Sequence, residues 1–334
     1  MFKTISVIGA GGWGTALAVL LAGTRPTIRL WAHLPEHAEK LRALRENTDY
    51  LPGVALPENL EITNDLAAAA QADLVLMVVP SRAFREVAGK LAAAGLPSQA
   101  VLVSCTKGIE HDTGYLMTQV LADCLPAQRL AVLSGPNLAA EIARRVPAAC
   151  VVGSSHAEIL PALQEAFSVS SFRAYTSEDV SGIQLGGALK NVFAIAAGAS
   201  DGLGMGDNAK AALVTRALAE MTRLGVALGG RRETFAGLSG IGDLMVTCFS
   251  VRSRNRGFGE RLGRGETPEQ IQASMKMVAE GVPTSRSALQ CAQRLGIDAP
   301  IIAEVHAVLH EGKSPRDALF TLLDRPPKPE ADAH

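Results

Sequence analysis

Apolar positions follow two different rhythms along this chain. Through the first half, short continuous runs recur at residues 5–8, 27–32, 60–63, 74–79, 101–104, 130–133, 148–152 and 172–175. Runs of this length, bounded by turn residues, predict strands buried on both faces of a parallel sheet. Helices are predicted between them at 36–46, 66–70, 84–94 and 115–125, with a turn-rich stretch around Pro52, Gly53 and Pro57. Strands and helices alternating at this spacing give a doubly wound α/β sheet. From Val180 onward the strand-like runs stop. A helical period takes over at 183–200, 208–228, 267–278, 284–295, 301–310 and 315–323. The pattern therefore predicts a doubly wound sheet domain over 1–177 and an all-α domain over 178–324. The polar, proline-rich stretch 325–334 is expected to be disordered.

The first apolar run leads into a glycine-rich turn. Residues 9–14 read GAGGWG, and a helical stretch follows. Strand, G-x-G-x-x-G turn and helix, in that order, form a dinucleotide-binding fingerprint and make the sheet Rossmann-type. Gly9 permits the tight turn, Gly11 lets the backbone approach a pyrophosphate, and Gly14 lets the helix pack on the strand. Gly12 and Trp13 complete the turn. The free N–H groups and positive dipole end of the helix then face the phosphates. An acid about 20 residues on normally grips the ribose 2′-OH of NAD. None ends the 27–32 run; Glu36 comes later. Arg29 and His33 could accept or tolerate a 2′-phosphate there, unless Arg29 is merely a solvated strand residue. The pattern favours NADP(H), with NAD(H) left open.

Composition narrows the class. The chain has 334 residues, 48% of them hydrophobic and 19% charged, enough for two domains with sizeable cores. A net charge of −1 provides no global field for nucleic acid or an anionic membrane. No apolar run reaches the roughly 18–20 residues of a membrane span. No basic leader precedes the first strand, since Met1-Phe2-Lys3 runs directly into it. The five cysteines, Cys105, Cys124, Cys150, Cys248 and Cys291, are odd in number and far apart. They read as reduced thiols of a cytoplasmic protein.

Polar residues interrupt predictable elements at five further places. Thr106-Lys107-Gly108 and Ser134-Gly135-Pro136-Asn137 each follow a predicted strand and so should open onto the ligand crevice. Lys107 could meet a substrate anion there. Lys190 and Asn191 interrupt the apolar helix at 183–200. A lysine in that position is costly unless it is paired, snorkels or works, and desolvation or a nearby Lys107 would lower its pKa and suit it to proton transfer. Asp243, in the glycine-rich 240–244, could orient Lys190, bind a substrate hydroxyl or cap a helix; Thr247 lies one helical turn on. Ser253-Arg254-Asn255-Arg256 supplies donors, and Arg254 suits bidentate recognition of phosphate. Few aromatics interleave with the arginines, which argues against nucleic acid. His306 and His310 share a helix face, but H-E-x-x-H and a third ligand are missing, so metal-free chemistry is expected.

Taken together, GAGGWGTALA, Val79-Pro80-Ser81, Thr106-Lys107-Gly108, Ser134-Gly135-Pro136, GALKN at 187–191, GIGDL at 240–244 and Ser253-Arg254-Asn255-Arg256 resemble the bacterial NAD(P)-dependent glycerol-3-phosphate dehydrogenases over nearly the whole chain. The resemblance implies reversible hydride transfer between dihydroxyacetone phosphate and sn-glycerol 3-phosphate, feeding phospholipid synthesis. It implies Lys190 as proton acceptor for alcohol oxidation, with Lys107 and Asp243 beside it. Substrate contacts are implied at Lys107, Gly135, Asn137, Asp243, Ser253, Arg254 and Asn255, and Asn191 and Thr247 flank the lysine and aspartate. Cofactor contacts are implied at Trp13, His33, Lys107, Ala139, Arg254, Val278 and Glu280. Asn137 stands where many relatives have Ser or Thr, which changes the reach of that contact. A homodimer is the assembly the family implies.

Overall fold

The computed structural model describes residues 2–23, 27–275, 277–327 and 329–330; half of the stretch expected to be a disordered tail lies outside these. The described strands are β1 (Thr4–Ile8), β2 (Thr27–Trp31), β3 (Glu46–Asn47), β4 (Leu51–Ala55), β5 (Leu60–Thr63), β6 (Leu74–Met77), β7 (Val101–Ser104), β8 (Arg129–Ser134), β9 (Ala148–Gly153) and β10 (Phe172–Ser177). All eight predicted runs are strands of one sheet, in the order β10-β9-β8-β7-β6-β1-β2-β5. The inner strands β6 and β7 are buried at every position, as strands covered on both faces must be, whereas the edge strands β5 and β10 expose Glu61, Arg173 and Tyr175.

The chain leaves β1 toward β2 and β5 on one side, then crosses to β6, β7 and β8 on the other. From β5 to β8 every pairing is parallel. This reversal opens a crevice beyond the carboxyl ends of β1 and β6, where such sheets take their ligands. The last part of the sheet departs from the parallel pattern: β9 pairs antiparallel to β8, and β10 returns parallel to β9. Only a five-residue helix, Ala139–Ala143, lies between β8 and β9. It spans about 7 Å, too short to carry the chain back along a strand of about 20 Å, so β9 starts where β8 ends. A second difference is the small β3–β4 hairpin in the stretch read as turns.

Among the described residues only helices follow β10. The long helix Val180–Gly202 is the core of this half, and Asp179 caps its start by accepting from Gly182 N at 2.9 Å. It is the one described helix long and apolar enough to cross a membrane, contrary to the sequence expectation, but 83% of its apolar window is buried inside the protein. The helices Gly206–Ala227, Asp243–Phe249, Arg254–Gly263 and Gly281–Leu295 pack around it.

The tightest crossing in this half is with Arg254–Gly263. A Cβ at Gly198 would lie 1.9 Å from Arg256 O, and one at Gly202 2.2 Å from Glu260 O. In return, a Cβ at Gly259 would lie 1.9 Å from Ile195 O, and one at Gly263 2.5 Å from Ala199 O. Side chains at these four positions would force the helices apart, so the backbones touch directly.

Candidate active site

Lys107, in the loop after β7, and Lys190, on the long helix, meet on one carboxylate. Lys190 Nζ donates to Asp243 Oδ1, and Lys107 Nζ donates to Asp243 Oδ2. Lys190 also donates to Thr247 Oγ1 at 2.6 Å, and Lys107 to Gly135 O at 3.0 Å. Asp243 is fully buried. It opens the helix Asp243–Phe249, yet its side chain caps nothing; its carboxylate is committed to the lysines. Thr247 lies one turn on and closes the set by donating to Asp243 O at 2.6 Å.

Burial pushes the Lys190 pKa down to about 7; Lys107 pushes the same way and Asp243 opposes. The close approach of helix and loop depends on Gly187. A Cβ there would lie 2.6 Å from Ser134 Oγ and 3.4 Å from Lys107 Cγ. Ser134 Oγ and Asn137 Oδ1 are buried beside this cluster without hydrogen-bond partners among the described residues. Asn137 uses its amide on Ala149 O at 3.2 Å.

The start of the helix Arg254–Gly263 faces the same crevice. Ser253 caps it, accepting from Arg256 N at 3.2 Å. Asn255 donates to Asn191 Oδ1 at 2.8 Å and accepts from Gly281 N at 2.9 Å, tying this helix to the residue beside Lys190. Arg254 lies open to the crevice and donates to Val278 O at 3.0 Å. The protein walls around it lower its pKa through desolvation, and Glu280 opposes that shift. Arg256 turns away, pairing with Asp201 at 2.7 Å and Glu260 at 3.2 Å.

The glycine turn has the form a pyrophosphate requires. Gly9 adopts φ +123°, closed to other residues, and a Cβ there would lie 2.6 Å from Val78 O. A Cβ on Gly14 would lie 1.9 Å from Gly9 O, so helix and turn are in contact. At Gly11 a Cβ would meet nothing within 4 Å. That open space lies at the N-terminus of the helix Gly12–Ala22, whose first turn carries no acidic side chain. The backbone donors are therefore free for an anion, and the turn fits a dinucleotide. Trp13 is half-buried on the sheet's core, and Ala139 opens its short helix after β8.

Two family models match the chain. The NAD-dependent glycerol-3-phosphate dehydrogenase N-terminus covers residues 4–160, and the corresponding C-terminus covers residues 179–320. The chain belongs to the NAD-dependent glycerol-3-phosphate dehydrogenase family. It is 48% identical over 330 residues to the glycerol-3-phosphate dehydrogenase [NAD(P)+] of Chlorobium phaeobacteroides, covering 98% of each chain. It is 49% identical to that of Syntrophotalea carbinolica, covering 98% of this chain and 99% of the relative. The crystal structure of glycerol-3-phosphate dehydrogenase from Coxiella burnetii superposes with a TM-score of 0.93 at 38% identity, over 97% of this chain and 99% of that one.

In this glycerol-3-phosphate dehydrogenase family member, Lys107, Gly135, Lys190, Asn191, Asp243, Thr247 and Asn255 are joined by hydrogen bonds or chain adjacency. His33 stands apart: it is exposed beyond β2, its ring 5.6 Å from that of Trp31. Arg29 does not reach the crevice. Parallel register sets it opposite Glu61, to which it donates at 2.8 Å, and it also donates to Gln71 O at 2.9 Å. It therefore cannot serve a 2′-phosphate. Sequence reasoning gave no role to Ser81, which ends the turn after β6 and binds Glu280. The signal was available, because Ser81 is the polar residue that closes an apolar run at the crevice edge. Burial raises the pKa of all five cysteine thiols, that of Cys248 to about 12.

Proposed function

We propose that the chain catalyses reversible hydride transfer between dihydroxyacetone phosphate and sn-glycerol 3-phosphate with a nicotinamide dinucleotide. The observation that carries this reading is Lys190, buried, titrating near neutrality and aimed by Asp243 and Thr247 at the crevice below the glycine turn. Two of its N–H bonds are engaged, which leaves the third for a substrate oxygen. When bound, the nicotinamide supplies or takes the hydride. Lys190 as ammonium donates the proton that the ketone oxygen needs, and as amine it accepts the alcohol's proton. Lys107 adds positive potential where that oxygen becomes negative. Arg254, with Ser253 and Asn255 at a helix N-terminus, suits the phosphate monoester. A hydroxy acid would have less use for that second anion site.

For the cofactor we infer NADP(H) in preference to NAD(H), with His33, Trp13, Ala139, Val278 and Glu280 as contacts. Support comes from the end of β2, where His33 and no acid stands. The physiological direction inferred is reduction, which supplies glycerol 3-phosphate for phospholipid synthesis in the cytoplasm, by a homodimer. Size-exclusion chromatography with light scattering checks the assembly.

Purified protein mixed with dihydroxyacetone phosphate should oxidise NADPH, faster than NADH; no oxidation of either by folded, cofactor-binding protein would refute the reading. The pH dependence follows from Lys190. Oxidation needs the amine, so its kcat/KM should rise as pH rises through about 7. Reduction needs the ammonium, so its kcat/KM should fall over the same range. The comparison is made after dividing out the substrate phosphate's own ionisation near about 6.

A further inference from the structure

Arg254 and Glu280 each shift the other's titration, so they are electrostatic neighbours, yet no ion pair joins them among the described residues. Unlike charges that face one crevice normally close on one another. Here each is held elsewhere. Arg254 donates to Val278 O at 3.0 Å. The Glu280 carboxylate accepts from Ser81 Oγ at 2.6 Å and from Ser81 N at 3.2 Å. Ser81 belongs to the sheet domain and Glu280 to the helical one. Ser81 is also backed by the lysine loop: a Cβ on Gly108 would lie 2.6 Å from Ser81 Cβ. That loop is laced to the same turn by Thr106 Oγ1, which donates to Val79 O at 2.7 Å. Ser81 is thus a fixed post, not a side chain free to follow Glu280.

We propose that Ser81 is a positioning residue for phosphate recognition: it tethers Glu280 to the sheet domain and so keeps the Arg254 guanidinium unpaired for the substrate's phosphate. The inference rests on the assignment of Arg254 as phosphate clamp. Without the hydroxyl, Glu280 keeps only one backbone donor, and a bidentate pair with Arg254 becomes its best alternative. That pair would compete with the substrate.

The test is steady-state kinetics at saturating NADPH. Ser81→Ala should raise KM for dihydroxyacetone phosphate, and the inhibition constant of inorganic phosphate, about tenfold, the loss of one hydrogen bond to a charged group. Its kcat should stay within about twofold. In a Glu280→Gln background, where no carboxylate can pair with Arg254, adding Ser81→Ala should change KM by less than about twofold. An unchanged KM in Ser81→Ala, as when the freed carboxylate turns to Arg82, would overturn the proposal. So would an equal effect in both backgrounds. If Ser81→Ala does not fold, Ser81→Cys, a much weaker donor, replaces it in the cycle. Arg254→Ala separates the two layers: if it leaves KM unchanged, the phosphate-clamp assignment has failed; if it raises KM while Ser81→Ala does not, only the tether has.

Discussion

The two sides of the crevice use glycine in opposite ways. At Gly11, on the sheet side, the place of a side chain is open, and backbone donors at a helix start look into it. At Gly198, Gly202, Gly259 and Gly263, on the helical side, that place is filled by another helix's backbone. On the proposed reading the sheet side reserves room at Gly11 for recognition by main-chain groups, although Gly9 and Gly14 beside it are closed by backbone. The helical side removes room and, on the proposed reading, recognises with Lys190, Asn191, Arg254 and Asn255, carried on two helices that touch at the crossing. Main-chain recognition needs space, whereas recognition by long charged side chains needs a mount that cannot slide.

The comparison can be broken from either side. The largest effect is expected from Lys190→Ala, which should lower kcat about 10³-fold, within the range for a positioned acid–base group. Dinucleotide affinity, measured by calorimetry, should stay within about threefold, because the sheet side is untouched; a comparable loss of affinity would show that the two sides are not separable. Next comes Gly259→Ala, whose methyl would collide with Ile195 O. It should destabilise the protein by about 1–3 kcal/mol in urea unfolding. It should also raise KM for the phosphorylated substrate, since Asn255 and Arg254 move with their helix; lost stability with an unchanged KM would sever the crossing from recognition. The smallest effect belongs to Gly11→Ala. It meets no protein atom, so the thermal midpoint should hold while dinucleotide affinity falls about tenfold. Unchanged affinity would mean that the open space is not the pyrophosphate's.

Strands were legible in the sequence because burial on both faces leaves continuous apolar runs, and the glycine turn because its spacing is steric. The helix Arg254–Gly263 was not, because RNRGFGERLG carries three glycines, which interrupt its otherwise favourable arginines, glutamate and leucine. It is helical because packing against the long helix overrides local preference. Asp243 allowed three readings, and only the fold brings Lys107 and Lys190, distant in sequence, to its two oxygens. The Arg29 reading failed because strand register, which a single strand does not reveal, chose Glu61. Ser81 went unassigned because its partner lies 199 residues away.

One carboxylate shared between two lysines has a thermodynamic consequence. With Arg254 and Glu280 included, the crevice holds three potential cations against two carboxylates, and one of the cations, Lys190, titrates near neutrality. A phosphate dianion entering this balance favours the charged lysine and raises its pKa. By linkage, substrate and proton must then bind together. At pH values just above 7 the protein should draw a fraction of a proton from the buffer each time it captures its substrate. The apparent heat of binding would then change with the buffer's own ionisation enthalpy, so the enzyme would load the proton for the reaction in the act of recognition.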